Sequence, residues 1–160
     1  MATYAHSTGA ERNDSTMETY RQMKDRHQAE VNAFPLGAAF SEEQLREQLQ
    51  KLGLDPDTGR QEVVGIGAGC FIRKTDKPAF LEMMDRHARE RKAAIEADTD
   101  GTGFIFQMFR HELANYEYSY TRNAWETLDA LGLTLEDVNA NPALLAGLES
   151  ACKACVKEDE

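Results

Sequence analysis

Apolar positions recur at helical spacing along most of the chain and give way to two extended runs in its first half. Met17, Tyr20, Met23, His27, Val31 and Phe34 fall on one face of a helix that a capping box of Ser15 and Glu18 would open. Phe34-Pro35-Leu36-Gly37 ends it, and Leu36 to Phe40 reads as a short strand. Ser41 and Gln44 form a second capping box ahead of Leu45, Leu49 and Leu52. Gly53 then stands where a left-handed C-cap belongs, with Leu54 placed to pack back on the last turn. Asp55 to Arg60 is a turn-rich loop. Val63 to Ile72 reads as one strand that pairs with the first and carries Gly65, Gly67 and Gly69 on one face.

The second half is helical. Thr75 or Asp76 caps a helix running to about Ala97, with Pro78 in its first turn. Leu81, Met84, Ala88 and Ile95 are its expected inner face. Glu82, Asp85, Arg86, Arg89 and Glu90 make a solvated outer face of opposite charges at spacings of three and four. After a turn at Asp98 to Gly103, Phe104, Ile105, Met108, Phe109 and Leu113 mark the most buried helix. Tyr116, Tyr118 and Tyr120 alternate with polar residues, as a short strand or a frayed helix end would. A helix from about Asn123 stops at Gly132. Thr134 with Asp137, and Asn141 with Pro142, start two more. No internal repeat is expected. The fold class that follows is a mainly helical α+β domain with a small antiparallel sheet over residues 15–157, preceded by a loosely attached segment 1–14.

Bulk properties narrow the function. At 160 residues, with 41% hydrophobic and 29% charged residues, the chain has the make-up of one globular domain. Its net charge of -10 argues against direct binding to nucleic acid or to anionic membrane surfaces. The start lacks a secretory pattern, and the longest apolar run is about half of what spans a bilayer. Cys70, Cys152 and Cys155 are too few for a disulfide scaffold, so a cytoplasmic, reducing location is expected.

Several motifs invite chemistry and fall short of it. Gly65-Ile66-Gly67-Ala68-Gly69 continues into Cys70-Phe71-Ile72 rather than opening a helix, so phosphate would meet no helix N-terminus. The small-ligand alternative nonetheless rests there, on Gly65, Gly67, Gly69, Arg73 and Lys74. Glu96 to Gly101 resembles half a calcium loop, but Gln107 stands where the bidentate Glu belongs. His111-Glu112 lacks a second histidine four residues on. A hydrolase built from His87, His111 and Glu112 would need those side chains to converge. Cys152 and Cys155 have redox spacing but do not open a helix. No catalytic residue, metal site or cofactor is therefore expected.

Charge is distributed unevenly. Between residues 111 and 137, six carboxylates face one cation, Arg122. Glu112, Glu117, Glu126 and Asp129 are interleaved with Tyr116, Tyr118, Tyr120 and Trp125, and these eight residues are the expected partner-binding surface. Aromatic anchors set in a charged field suit a basic protein partner.

The chain also resembles a known family in texture. Ala39-Phe40-Ser41 with Gln44, Lys51 to Leu54, Gly67 to Lys74, Met83 to His87, Gly103 to Phe109, Glu112 to Tyr118, and Leu128 to Val138 carry the resemblance. Together they look like a family of small uncharacterised proteins of bacterial phages, plasmids and conjugative elements, similar over about residues 30–155. That resemblance implies a context and no activity. Small acidic proteins of mobile elements often block host defence machinery, sometimes with a nucleic-acid-like charge pattern. The expected function is thus a non-enzymatic binding protein that inhibits a host or defence protein, of the anti-CRISPR or antirestriction kind.

Overall fold

The computed structural model describes residues 17–158, which form a mainly helical α+β fold with one small antiparallel sheet. The elements are α1 (Tyr20–Ala33), β1 (Leu36–Ala38), α2 (Glu42–Lys51), β2 (Val63–Gly67), β3 (Cys70–Arg73), α3 (Lys77–Ala97), α4 (Phe104–Asn115), α5 (Tyr118–Thr121), α6 (Trp125–Ala130), α7 (Leu135–Ala140) and α8 (Pro142–Glu158). The chain divides into two compact units. Arg26–Glu90 form the sheet unit, and the described residues on either side of them form the helical unit.

In the sheet unit, β3 is the central strand of the order β1-β3-β2 and pairs antiparallel with both neighbours. The single strand expected over Val63 to Ile72 is instead a hairpin. Gly67, Ala68 and Gly69 all take positive φ, at 105°, 52° and 76°, which turns the chain back on itself. Gly65 pairs with Phe71 and Gly67 with Cys70, leaving Ile66 in a bulge. The three glycines therefore do not share one strand face. Strand β1 pairs with β3, Leu36 opposite Ile72. Phe71 packs into a small core with Leu49 and Leu52 of the α2 end, lined by Leu45, Leu54 and Val63. Helix α2 starts and stops as its sequence requires. Ser41 accepts the Gln44 amide, and the Leu54 amide reaches back over Gly53 (φ 77°) to the Leu49 carbonyl at 2.9 Å.

The helical unit holds the larger core. Phe104, Ile105, Met108, Phe109 and Leu113 of α4 are all buried, together with Leu128, Leu131, Val138, Leu144 and Ala151. Helices α4 and α8 approach closely because Gly147 offers no side chain where they meet. A Cβ there would lie 2.4 Å from Ile105 Cγ2. The preceding turn is equally tight, since a Cβ on Gly101 (φ 78°) would lie 2.1 Å from the Ala143 carbonyl oxygen. Asp98 braces this turn by accepting the amides of Gly101, Gly103 and Ile105. Its carboxylate is spent on capping α4, so the calcium-like segment is a capped turn. Thr134 and Asp137 form the expected capping box of α7, and the Asn141 side chain caps α8.

Three helix expectations need correction. Helix α1 starts at Tyr20, not near Ser15, which lies outside the described residues along with segment 1–14. Thr19 and Gln22 cap it reciprocally, each side chain accepting the other's amide. On α3, Leu81, Met84 and Ala88 point to solvent; the inner face carries Phe80, Met83 and His87 instead. Arg86 and Glu90 are likewise not a solvated face, because they are drawn into an ion-pair cluster.

Candidate functional site

That cluster rests on a short internal repeat, against the expectation of none. Asp25-Arg26-His27-Gln28-Ala29-Glu30 and Asp85-Arg86-His87-Ala88-Arg89-Glu90 carry Asp, Arg, His and Glu at the same offsets. Helical spacing puts each Arg, His and Glu on one side of its helix. In the sheet unit the two segments face each other antiparallel and exchange partners. Arg26 Nη2 donates to Glu90 at 2.6 Å and His27 Nε2 to the same oxygen at 3.1 Å. Reciprocally, Arg86 Nη2 donates to Glu30, and His87 Nε2 meets Glu30 at 2.7 Å. Within each helix, Arg26 also pairs with Glu30 and Arg86 with Glu90. The hydrogen bonds from Arg86 and then His87 hold the Glu30 carboxyl at about 2, and those from Arg26 and His27 hold Glu90 at about 2. Beyond the cluster, Phe34 and Phe80 meet edge to face at 5.4 Å.

Glu112 does not belong to the surface. It is 5% exposed and forms the hub of a second polar cluster, in the helical unit. Its Oε1 accepts the Tyr20 hydroxyl at 3.2 Å and the Lys24 ammonium at 2.5 Å, with His111 Nε2 at 3.7 Å. Burial, reinforced by the Glu112 charge, pushes the Tyr20 hydroxyl far above its usual range. This carboxylate is buried because α4 turns its inner face, already occupied by Met108, Phe109 and Leu113, into the core at that point. His111 therefore has Glu112 beside it, whereas His87 belongs to the Glu30 cluster of the other unit.

The rest of the acidic, aromatic stretch divides by exposure. Tyr116 and Tyr118 are half-buried, and Tyr118 is hydrogen-bonded to Cys152, which raises its phenol. Tyr120 is 83% exposed and Trp125 is 63% exposed. Glu117, Glu126 and Asp129 are exposed as well. The single-turn helix α5 is bracketed by Glu117 and Arg122, both left-handed at φ 55°. A non-glycine residue held there costs on the order of 1–2 kcal/mol. The chain accepts that cost twice within six residues to make the turns that lead from α4 into α6. Asn123 then accepts the Trp125 amide at 2.9 Å, which fixes the start of α6 and the position of the indole.

The glycine hairpin presents a different picture from the ligand loop weighed in the sequence. Gly67 and Gly69 make its turn, and Gly65 lies in β2 opposite Phe71. Arg73 is committed to Asp76, with Nε donating at 2.7 Å, and to the Leu52 carbonyl at 3.2 Å. Lys74 is exposed. Cys155 is buried in the helical core, and Cys152 is half-buried with its thiol raised by that burial. Among the described residues, no group of three or more His, Cys, Asp or Glu side chains is placed to hold a metal ion. No helix among them is long and apolar enough to cross a membrane.

No curated protein and no solved structure matches the chain. A family model does, over residues 19–154, which takes in every element from α1 to most of α8. The chain therefore belongs to the family of unknown function DUF7659.

Proposed function

We propose that the protein is a binding module whose docking surface is the exposed edge formed by α5 and α6. The observation that carries this is the exposure of Trp125 and Tyr120 beside Glu117, Glu126 and Asp129. A tryptophan left in water on a capped, ordered helix start is the kind of anchor that interface hot spots use. The surrounding carboxylates and the net charge of -10 select a basic partner and steer its approach. Glu112 drops out of this surface because Lys24 and Tyr20 hold it in the interior, and Tyr116 and Tyr118 contribute at most an edge.

The concrete version is a nucleic-acid-handling protein whose cationic channel is occupied by this edge. A place in a phage or other mobile element, acting on a host or defence protein, belongs to the same reading. Its support is the charge pattern and the resemblance given above. Incubating the tagged full chain with bacterial lysate tests it. The reading expects a stoichiometric nucleic-acid-handling partner at low salt, released by high salt and by added duplex DNA. A partner retained against both would overturn the nucleic-acid-mimicking mode.

A further inference from the structure

The helical unit contains a groove that runs against the charge of the whole chain. It measures about 480 Å³ and lies between the start of α1 and the outer face of α4. Tyr20, Phe106 and Ala114 line it with apolar surface, beside Arg21, Arg110 and His111 and the polar Thr19, Gln107 and Asn115. Tyr20 is fixed by Phe104, edge to face at 5.6 Å, and by its hydroxyl on Glu112. Of the carboxylates beside the groove, Glu112 is paired with Lys24 and Glu158 with Arg110. Arg110 donates to Cys155 Sγ at 3.6 Å and pairs with Glu158. Arg21 is exposed and has no ion-pair partner among the described residues. Arg21 thus brings to this aromatic-lined groove a guanidinium that no carboxylate among the described residues pairs with.

We infer that this groove binds a small oxyanion carried on a flat apolar ring, such as an aromatic phosphate ester or carboxylate. Arg21 would take the oxyanion through its planar fork of donors, with the side chains of Arg110 and His111 offering further N–H groups from the α4 side. The ring would lie on Phe106 and the face of Tyr20, where its apolar surface leaves water. The site is separate in sequence and chemistry from the acidic edge, so each stands or falls on its own variants.

Titration of the full chain with phenyl phosphate and with benzoate, followed by NMR, tests the inference. Saturable shifts at Arg21, His111 and Phe106 are expected with at least one probe. Inorganic phosphate, which lacks the ring, should bind about tenfold more weakly or worse. Arg21→Glu leaves the core and the Arg110 contacts intact and should weaken the organic probe by about tenfold or more. Absence of saturable shifts with both organic probes would overturn the site, as would equal affinity of the Arg21→Glu variant and the parent chain.

Discussion

The imidazoles of His27 and His87 stack face to face, with ring centres 3.8 Å apart and planes 14° from parallel. Each ring reaches the glutamate of the opposite helix, so the stack sets the register in which Arg26 meets Glu90 and Arg86 meets Glu30. Sliding one helix by a turn would part both histidines from their carboxylates and leave Glu30 and Glu90 only the arginines of their own helices. The two histidines should therefore couple energetically. In a double-mutant cycle of His27→Ala and His87→Ala, read by chemical denaturation, we expect a coupling of about 0.5–1.5 kcal/mol. Additivity within about 0.3 kcal/mol would show that the stack is incidental.

Acid should undo the same cluster. Glu30 and Glu90 sit at about 2 against an ordinary value of 4.5, because guanidinium and imidazole donors favour their charged form. A carboxylate depressed in the folded state contributes stability that is fully present above the unfolded value. That contribution is lost as pH falls through the folded value. Stability should thus decline as pH is lowered from about 4.5 toward 2. Denaturation midpoints across this window should fall less steeply in the Glu30→Gln, Glu90→Gln double variant than in the parent. Identical slopes would place the acid sensitivity elsewhere.

Glu112 and Lys24 form an unequal pair, and truncating each should show it. Lys24 is 39% exposed at its side chain and Glu112 only 6%. Removing Lys24 leaves a buried carboxylate that still has the Tyr20 hydroxyl, at a cost of about 1–2 kcal/mol. Removing Glu112 takes the shared acceptor from Tyr20 and Lys24 and leaves a cavity in the interior, a loss of about 2–4 kcal/mol. Urea denaturation of Lys24→Ala and Glu112→Ala should rank them in that order. The reverse ranking would mean that the pair is held by lysine packing rather than by the carboxylate hub.

Local signals carried most of the helix boundaries. Ser41, Gly53, Thr134 and Asn141 each act through backbone groups a few residues away, so their effect is legible without knowing the fold. The buried face of α4 was equally plain, because its apolar residues keep helical spacing and meet an apolar partner in α8. Helix α3 misled for the opposite reason. Its inner face mixes Phe80 and Met83 with polar Arg86, His87 and Glu90, which α1 satisfies, while the apolar Leu81 and Met84 lie outside. The repeated hexapeptide was the signal for this, visible only when the two segments are set side by side. The hairpin was hidden by Ala68, a non-glycine residue at positive φ that made the glycine run look continuous. In the candidate surface, exposure separated residues that composition had grouped. Trp125, Tyr120, Glu117, Glu126 and Asp129 stayed outside, while Glu112 was drawn inward by donors far away in sequence, Tyr20 and Lys24.

The central claim is that the α5–α6 edge binds a basic protein partner, with Trp125 as anchor and the carboxylates as guide. The most direct measurement is the affinity of the captured partner for the parent chain, for Trp125→Ala, and for the Glu117→Lys, Glu126→Lys, Asp129→Lys triple variant. All five positions of this edge are exposed, so the variants should keep the parent's circular dichroism and thermal midpoint. The account predicts a loss of about 2 kcal/mol or more in binding for Trp125→Ala. It predicts loss of detectable binding for the triple variant, with the parent's affinity falling as salt is raised. Parent-like affinity in both folded variants would contradict it and move the binding surface away from this edge.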